Sequence, residues 1–213
     1  MAQGLGTGGV NVLTWHNDNY RTGQNLSEST LTYNAVSKNA FGQLCSAALD
    51  GQVYAQPLVV TNVTIGGTRY NSVAYVVTQN DTLYAINGTP QSGNQTCQVL
   101  GSLPFLSTPG LPTNGQSPAD CLDIGGGLCM FMKPSVGILG TPVINISNGT
   151  GTIYLVTETQ DQYPGPQNWY HYLYAVDIQS LSVNAYVKVL QGSGSGSGGV
   201  LPDSHPASRS VAR

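Results

Sequence analysis

The residues whose chemistry is strongest are few and scattered. His16, His171 and His205 lie too far apart for their spacing to define a metal-ligand set. His16 is followed by Asn17, Asp18 and Asn19, which together offer nitrogen and oxygen ligands, but the Asp/Asn order and closing glycine of a calcium loop are not met. The residue types around it suit a hydrogen-bonded cap better, with Asp18 and Arg21 satisfying backbone groups. Glu158 and Asp161 are close in sequence and form a candidate carboxylate pair, against which stands the simpler reading of a solvated loop. Gly125-Gly126-Gly127 offers backbone amides to a phosphate, yet no helix pattern follows to add a dipole. The alternating Gly/Ser run from Gly192 sits in a repetitive tract, not on the strand-to-helix turn that presents a nucleophilic serine. No catalytic residue is assigned. Aromatic side chains remain: Tyr163, Trp169 and Tyr170 cluster near a turn and are the candidate binding-surface aromatics.

The elements that must position these groups are read from composition and repeats. The chain has 213 residues, 40% apolar and 8% charged, against roughly 25% charged in an ordinary soluble domain. Seven basic and 10 acidic residues leave no electrostatic footprint for nucleic acid or an anionic membrane. No apolar run approaches the roughly 20 residues of a membrane-spanning helix. The N-terminus lacks a basic and apolar leader, and low charge with four cysteines favours an extracellular or periplasmic protein whose signal has been removed. The cysteines, at 45, 97, 121 and 129, show no C-x-x-C spacing. A Cys121–Cys129 bridge closing the Gly-rich loop is the preferred candidate disulfide. Cys45–Cys97 is disfavoured, because the two read as parts of strands in different sheets. Seven N-x-S/T sequons are within what an Asn-, Ser- and Thr-rich chain produces by composition.

A repeat organises the rest. Tyr75-Val76-Val77-Thr78, a turn, and Leu83-Tyr84-Ala85-Ile86-Asn87 recur as Tyr154-Leu155-Val156-Thr157, an insert, and Leu173-Tyr174-Ala175-Val176-Asp177. Each copy follows an apolar strand opened by proline, Pro57 or Pro142. Counted with their flanking strands, residues 41–100 and 136–190 each read as four antiparallel strands, the period of a propeller blade. The two prolines are 85 positions apart, about twice a usual blade. The excess lies in residues 101–135, a loop insert holding Pro104, Pro109, Pro112, Pro118 and Pro134 in which nothing alternates. Residues 1–40 read as an extended N-terminal segment with an edge strand at 11–14. Phe41 to Leu49 reads as a strand, and residues 191–213 as a flexible Gly/Ser-rich tail. The expected fold is all-β: a partial β-propeller of about two four-stranded antiparallel blades with a long loop insert.

Trp15-His16-Asn17-Asp18-Asn19-Tyr20-Arg21-Thr22-Gly23-Gln24-Asn25 and Asp50-Gly51-Gln52-Val53-Tyr54-Ala55-Gln56-Pro57-Leu58 resemble the start of bacterial secreted proteins with pyrroloquinoline-quinone-like β-propeller repeats. Val136-Gly137-Ile138-Leu139-Gly140-Thr141-Pro142-Val143-Ile144 resembles their next blade, so the likeness covers roughly residues 12–190. It implies the fold more strongly than a chemistry, because many such proteins use the repeat as a scaffold. Adjacent cysteines and a full ring of blades, both expected of the quinone-dependent dehydrogenases, are absent from this sequence. The expectation is a non-catalytic scaffold or binding module with no cofactor. A fragment of a quinone-dependent dehydrogenase, using pyrroloquinoline quinone and calcium, is the alternative, and a carbohydrate-binding module the second. Expected partners are a protein or carbohydrate ligand, further propeller blades, or other copies joined through open edge strands.

Overall fold

A computed structural model describes residues 9–29, 31–37, 42–89, 96–111, 117–120, 135–147, 150–161 and 167–194. Among them there is no helix, and the chain is all-β. The strands are β1 (Leu58–Ile65), β2 (Thr68–Val77), β3 (Thr82–Asn87), β4 (Val99–Pro104), β5 (Ser117–Asp120), β6 (Ser135–Val136), β7 (Val143–Ser147), β8 (Thr150–Gln160), β9 (Gln167–Asp177) and β10 (Val183–Gly194). The first sheet has the order β1-β2-β3-β4. The second contains β7-β8-β9-β10 as antiparallel neighbours, and β5-β6 adds to β8 beyond the end of β7.

Local chemistry explains the first sheet. β1 and β2 are rich in Val, Thr and Tyr, which suit a pleated half-buried surface. Their hairpin turns at Gly66-Gly67, with φ of 57° and 81°. Two consecutive left-handed residues give the turn whose twist matches the strands, and glycine adopts that geometry without a Cβ penalty. Asn62, at φ 58°, stands opposite Asn71 between the pairs Thr61↔Ser72 and Val63↔Tyr70, and the register is the same on both sides of it.

The two sheets are the same unit built twice. In the first, cross-strand register aligns Leu58↔Tyr75↔Ala85↔Gly101 and Val77↔Leu83↔Leu103. In the second it aligns Val143↔Tyr154↔Ala175↔Ala185 and Val156↔Leu173↔Val187. Even the turns after β3 and β9 agree: the Asn87 side-chain oxygen accepts the Thr89 amide at 3.0 Å, and that of Asp177 accepts the Gln179 amide at 2.9 Å.

These units stack face to face. Leu58, Val73, Tyr75, Val77, Leu83, Ala85 and Leu103 of the first sheet share one core with Ile144, Ile153, Leu155, Tyr172, Tyr174 and Val176 of the second. The Tyr75 hydroxyl donates to the Ile178 carbonyl at 2.7 Å, and Phe105 lies 4.5 Å from the Tyr174 ring. Burial pushes the Tyr75 hydroxyl well above its ordinary pKa, with the Asp177 charge adding to it, so it remains a donor. The N-terminal segment pins both sheets at one edge. Val12 exchanges backbone hydrogen bonds of 2.8 and 2.9 Å with Val59, and Leu13 accepts the Ile144 amide at 2.8 Å.

Four expectations need correction. Residues 42–49 form no strand: only Ser46 makes a bridge, parallel to Thr96. That bridge sets the disfavoured Cys45–Cys97 pair side by side, and the disulfide is formed across a separation of 52 residues. The sequence argument failed because it placed both cysteines on strands of different sheets. The insert is not wholly strandless either, since Ser117 and Pro118 of β5 pair with Gln160 and Thr159. Finally, β10 runs to Gly194, into the Gly/Ser tract, because β9 starts as early as Gln167 and its backbone groups need ladder partners. The Cys121–Cys129 candidate lies outside the described residues.

Candidate functional site

The second sheet has two unlike faces, and among the described residues only one is covered. Its inner face, Ile144, Ile153, Leu155, Thr157, Tyr172, Tyr174 and Val176, packs on the first sheet. The outer face presents Val143, Tyr154, Val156, Leu173 and Val187, which are 44%, 40%, 41%, 37% and 56% exposed. By register their counterparts on the first sheet are Leu58, Tyr75, Val77, Leu83 and Leu103, all at most 6% exposed. One face of the repeat is thus core in the first unit and surface in the second. The five side chains are register neighbours on β7, β8, β9 and β10 and so lie together on one face.

The margin of this face carries the one ion pair among the described residues. Glu158 and His171 are cross-strand partners, and the carboxylate lies 3.3 Å from the imidazole Nε2. No lysine or arginine among the described residues stands on this face, because Lys188 belongs to the inner side, 5.9 Å from the Tyr170 ring.

The corresponding outer face of the first sheet is mixed, since Val99, the cross-strand partner of Ile86, is 42% exposed. Val76 and Ile86 point away from the second sheet yet are only 7% and 8% exposed. The segment that follows the Cys45–Cys97 disulfide reaches the β2–β3 turn at Asp50. There Asp50 accepts the Thr78 and Thr82 hydroxyls at 2.8 and 2.6 Å, the Asn80 amide reaches the Asp50 carbonyl, and the Gln79 amide donates to Gln52 at 3.0 Å.

Compared with protein-family models, with curated proteins and with solved structures, the chain finds no match. Its own geometry therefore has to carry the functional reading.

That geometry disperses the candidate chemistry. His16 sits in a tight N-terminal turn, where its Nδ1 lies 3.2 Å from the Arg21 carbonyl and its ring 3.7 Å from Trp15. Asp18 accepts the Tyr20 amide at 2.7 Å, and the Arg21 guanidinium donates to the Thr14 hydroxyl and Trp15 carbonyl at 2.5 and 2.8 Å. These bonds make the segment a cap, and the Thr22 hydroxyl holds the Asp18 carboxyl below its ordinary pKa. Glu158 and Asp161 do not face each other. Asp161 instead accepts from Asn168 at 2.7 Å and from the Tyr170 hydroxyl at 3.0 Å. Among the described residues no three His, Cys, Asp or Glu side chains converge as a metal site.

The aromatic candidates divide. Tyr170 is buried at 4% exposure against Tyr172, whereas Trp169 is half-buried and donates its indole N–H to Gln160 at 3.2 Å. Tyr163, His205 and Gly125-Gly126-Gly127 lie outside the described residues. Sequence reasoning passed over Tyr186, which is 46% exposed, tilts 5.7 Å from Tyr174 and lines an open cleft of about 560 Å³ with Leu103, Leu111, Leu181 and Asn184.

It also passed over Asp81. This turn residue, at φ 55°, is fully buried between the sheets, and neither carboxyl oxygen completes a hydrogen bond. Gly137 packs so closely that a Cβ there would lie 3.0 Å from the Asp81 carboxyl carbon. Burial raises the Asp81 pKa well above 3.8; the nearby Glu158 amide opposes the shift, and the Glu158 and Asp50 charges add to it. A raised pKa means that the folded state holds this proton more tightly than the unfolded one. Its contribution to stability is therefore full below the unfolded pKa and is lost as pH rises through the folded value. Asp81→Asn, which mimics the neutral carboxyl, is expected to unfold at higher urea than wild type at pH 7 and at nearly the same urea near pH 3. A difference independent of pH would show that Asp81 is not held protonated.

Proposed function

We propose that this chain is a non-catalytic scaffold or binding module: two blades of a partial, propeller-type β-repeat whose working surface is the outer face of the second sheet. The observation that carries this reading is the register match, which gives one repeat face a buried copy around Leu83 and an exposed copy around Leu173. An exposed apolar surface of that composition, with no three His, Cys, Asp or Glu side chains converging among the described residues, supports binding over catalysis.

The Cys45–Cys97 disulfide supports an extracellular or periplasmic setting, since such bonds persist where thiols are not kept reduced. The inferred quinoprotein-like ancestry rests on the Trp15–Asn25 and Asp50–Leu58 motifs. They occupy structural roles in this chain: Thr14 to Arg21 builds the cap, and the Gln56 amide donates to Thr141 at 3.0 Å, joining the entries to β1 and β7. The experiment is direct. Purified protein supplied with pyrroloquinoline quinone and calcium, and offered alcohols or sugars with an electron-accepting dye, is expected to give no saturable dye reduction. Saturable turnover would replace the scaffold reading with the dehydrogenase alternative.

A further inference from the structure

We infer that Asp81, Thr157 and Thr159 form a buried site for a hard divalent cation between the two sheets, with calcium as the ion whose ligand needs they meet. The site lies inside the fold, so it stands apart from the outer face of the second sheet and from any quinone.

The β2–β3 turn carries Asp81 into the sheet–sheet contact, where it is 0% exposed and neither carboxyl oxygen completes a hydrogen bond. Its carboxyl meets β8 at the Glu158 amide. Strand alternation turns the residues on either side of Glu158 inward together, and Thr157 and Thr159 are 0% and 5% exposed. Their hydroxyl oxygens complete no hydrogen bond either. Carboxyl and hydroxyl oxygens are therefore buried along one stretch of β8 without bonding one another. Oxygens taken from water in this way cost free energy unless something else satisfies them.

Charge decides what that is. The charges that act on Asp81 are those of Glu158 and Asp50, both negative. Each is already held, Glu158 by His171 and Asp50 by the Thr78 and Thr82 hydroxyls, so they add field rather than ligands. A bound water would satisfy the oxygens and leave the field uncompensated, whereas a cation does both. The donor set is all oxygen, the preference of hard cations such as calcium and magnesium. Calcium accepts a variable number of such ligands in flexible geometry, while magnesium demands a near-ideal octahedron and dehydrates reluctantly. With one charged ligand the affinity falls at the weak end of calcium sites, a Kd of about 0.1–1 mM. A proton neutralises Asp81 when no cation is bound, and the two compete for it.

Thermal unfolding of the chelator-treated full chain, at pH 7 and constant ionic strength, is followed from about 0.05 to 10 mM calcium chloride, a range that brackets this affinity. Tm is expected to rise by roughly 3–10 °C at the top of the range. Asp81→Asn keeps the shape and removes the charge, so calorimetric titration should show affinity falling at least about tenfold. Thr157→Val combined with Thr159→Val should lower it at least about threefold. Asp18→Asn, at a carboxylate of the N-terminal cap, should titrate as wild type. Far-UV circular dichroism confirms that each variant folds; if Asp81→Asn does not, the threonine pair decides, and unchanged affinity there overturns the site. No calcium-dependent rise in wild type, a rise kept in full by Asp81→Asn, or one abolished by Asp18→Asn overturns the inference as well.

Discussion

Replacing Cys45 and Cys97 together by serine is expected to lower stability by about 4 kcal/mol. A cross-link closing a loop of 52 residues removes about that much chain entropy from the unfolded state. For a chain of this size the shift corresponds to a fall in Tm of roughly 8–16 °C. The native state adds a local reason for the loss. Residues 42–55 have no sheet of their own, and only Ser46 joins a ladder, through its bridge to Thr96. The disulfide fixes one end of this segment and the Asp50 hydrogen bonds fix the other. Without it, the segment's hold on the first sheet rests on the Asp50 hydrogen bonds, the Gln52 carbonyl and the Ser46 bridge. Thermal unfolding of the double serine variant, followed by circular dichroism, measures the effect. An unchanged Tm would show that the segment is held by Asp50 and its own packing.

Much of the fold was legible because its information is periodic. The Tyr-x-Val-Thr and Leu-Tyr-Ala elements located both central hairpins, and alternation within them says which residues share a face. Alternation is silent on which face is covered. Tyr75 and Tyr154 occupy the same place in the repeat, yet one is 1% and the other 40% exposed, and the difference is set by a neighbouring sheet. The same blindness to long-range contacts explains the other misses. Phe41 to Leu49 alternates like a strand, but within residues 42–49 only Ser46 finds a pairing partner. Ser117 and Pro118 do not alternate, yet the exposed edge of β8 recruits them by backbone pairing. Asp81 reads as an ordinary turn residue until Gly137 and β8 close over it. Within the candidate site, Leu173 and Val156 were visible as members of the repeat, while their exposure was not.

The second large effect follows from that asymmetry. Leu83 is fully buried at the sheet–sheet interface, so Leu83→Ala removes apolar contact and leaves a cavity, at a cost of about 2–5 kcal/mol. Leu173, its register equivalent, is 37% exposed and has no sheet across from it among the described residues. Truncation there forfeits part of one side chain's burial and should cost about 1 kcal/mol or less in the monomer. Position in the repeat, residue type and cross-strand neighbours are alike, so the comparison isolates the covering sheet.

Urea unfolding of wild type, Leu83→Ala and Leu173→Ala at one common protein concentration is therefore the most direct measurement. The account predicts a loss for Leu83→Ala at least about twice that for Leu173→Ala. Equal losses would contradict it, because the two faces would then be equally covered and the second sheet would have no free surface to work with.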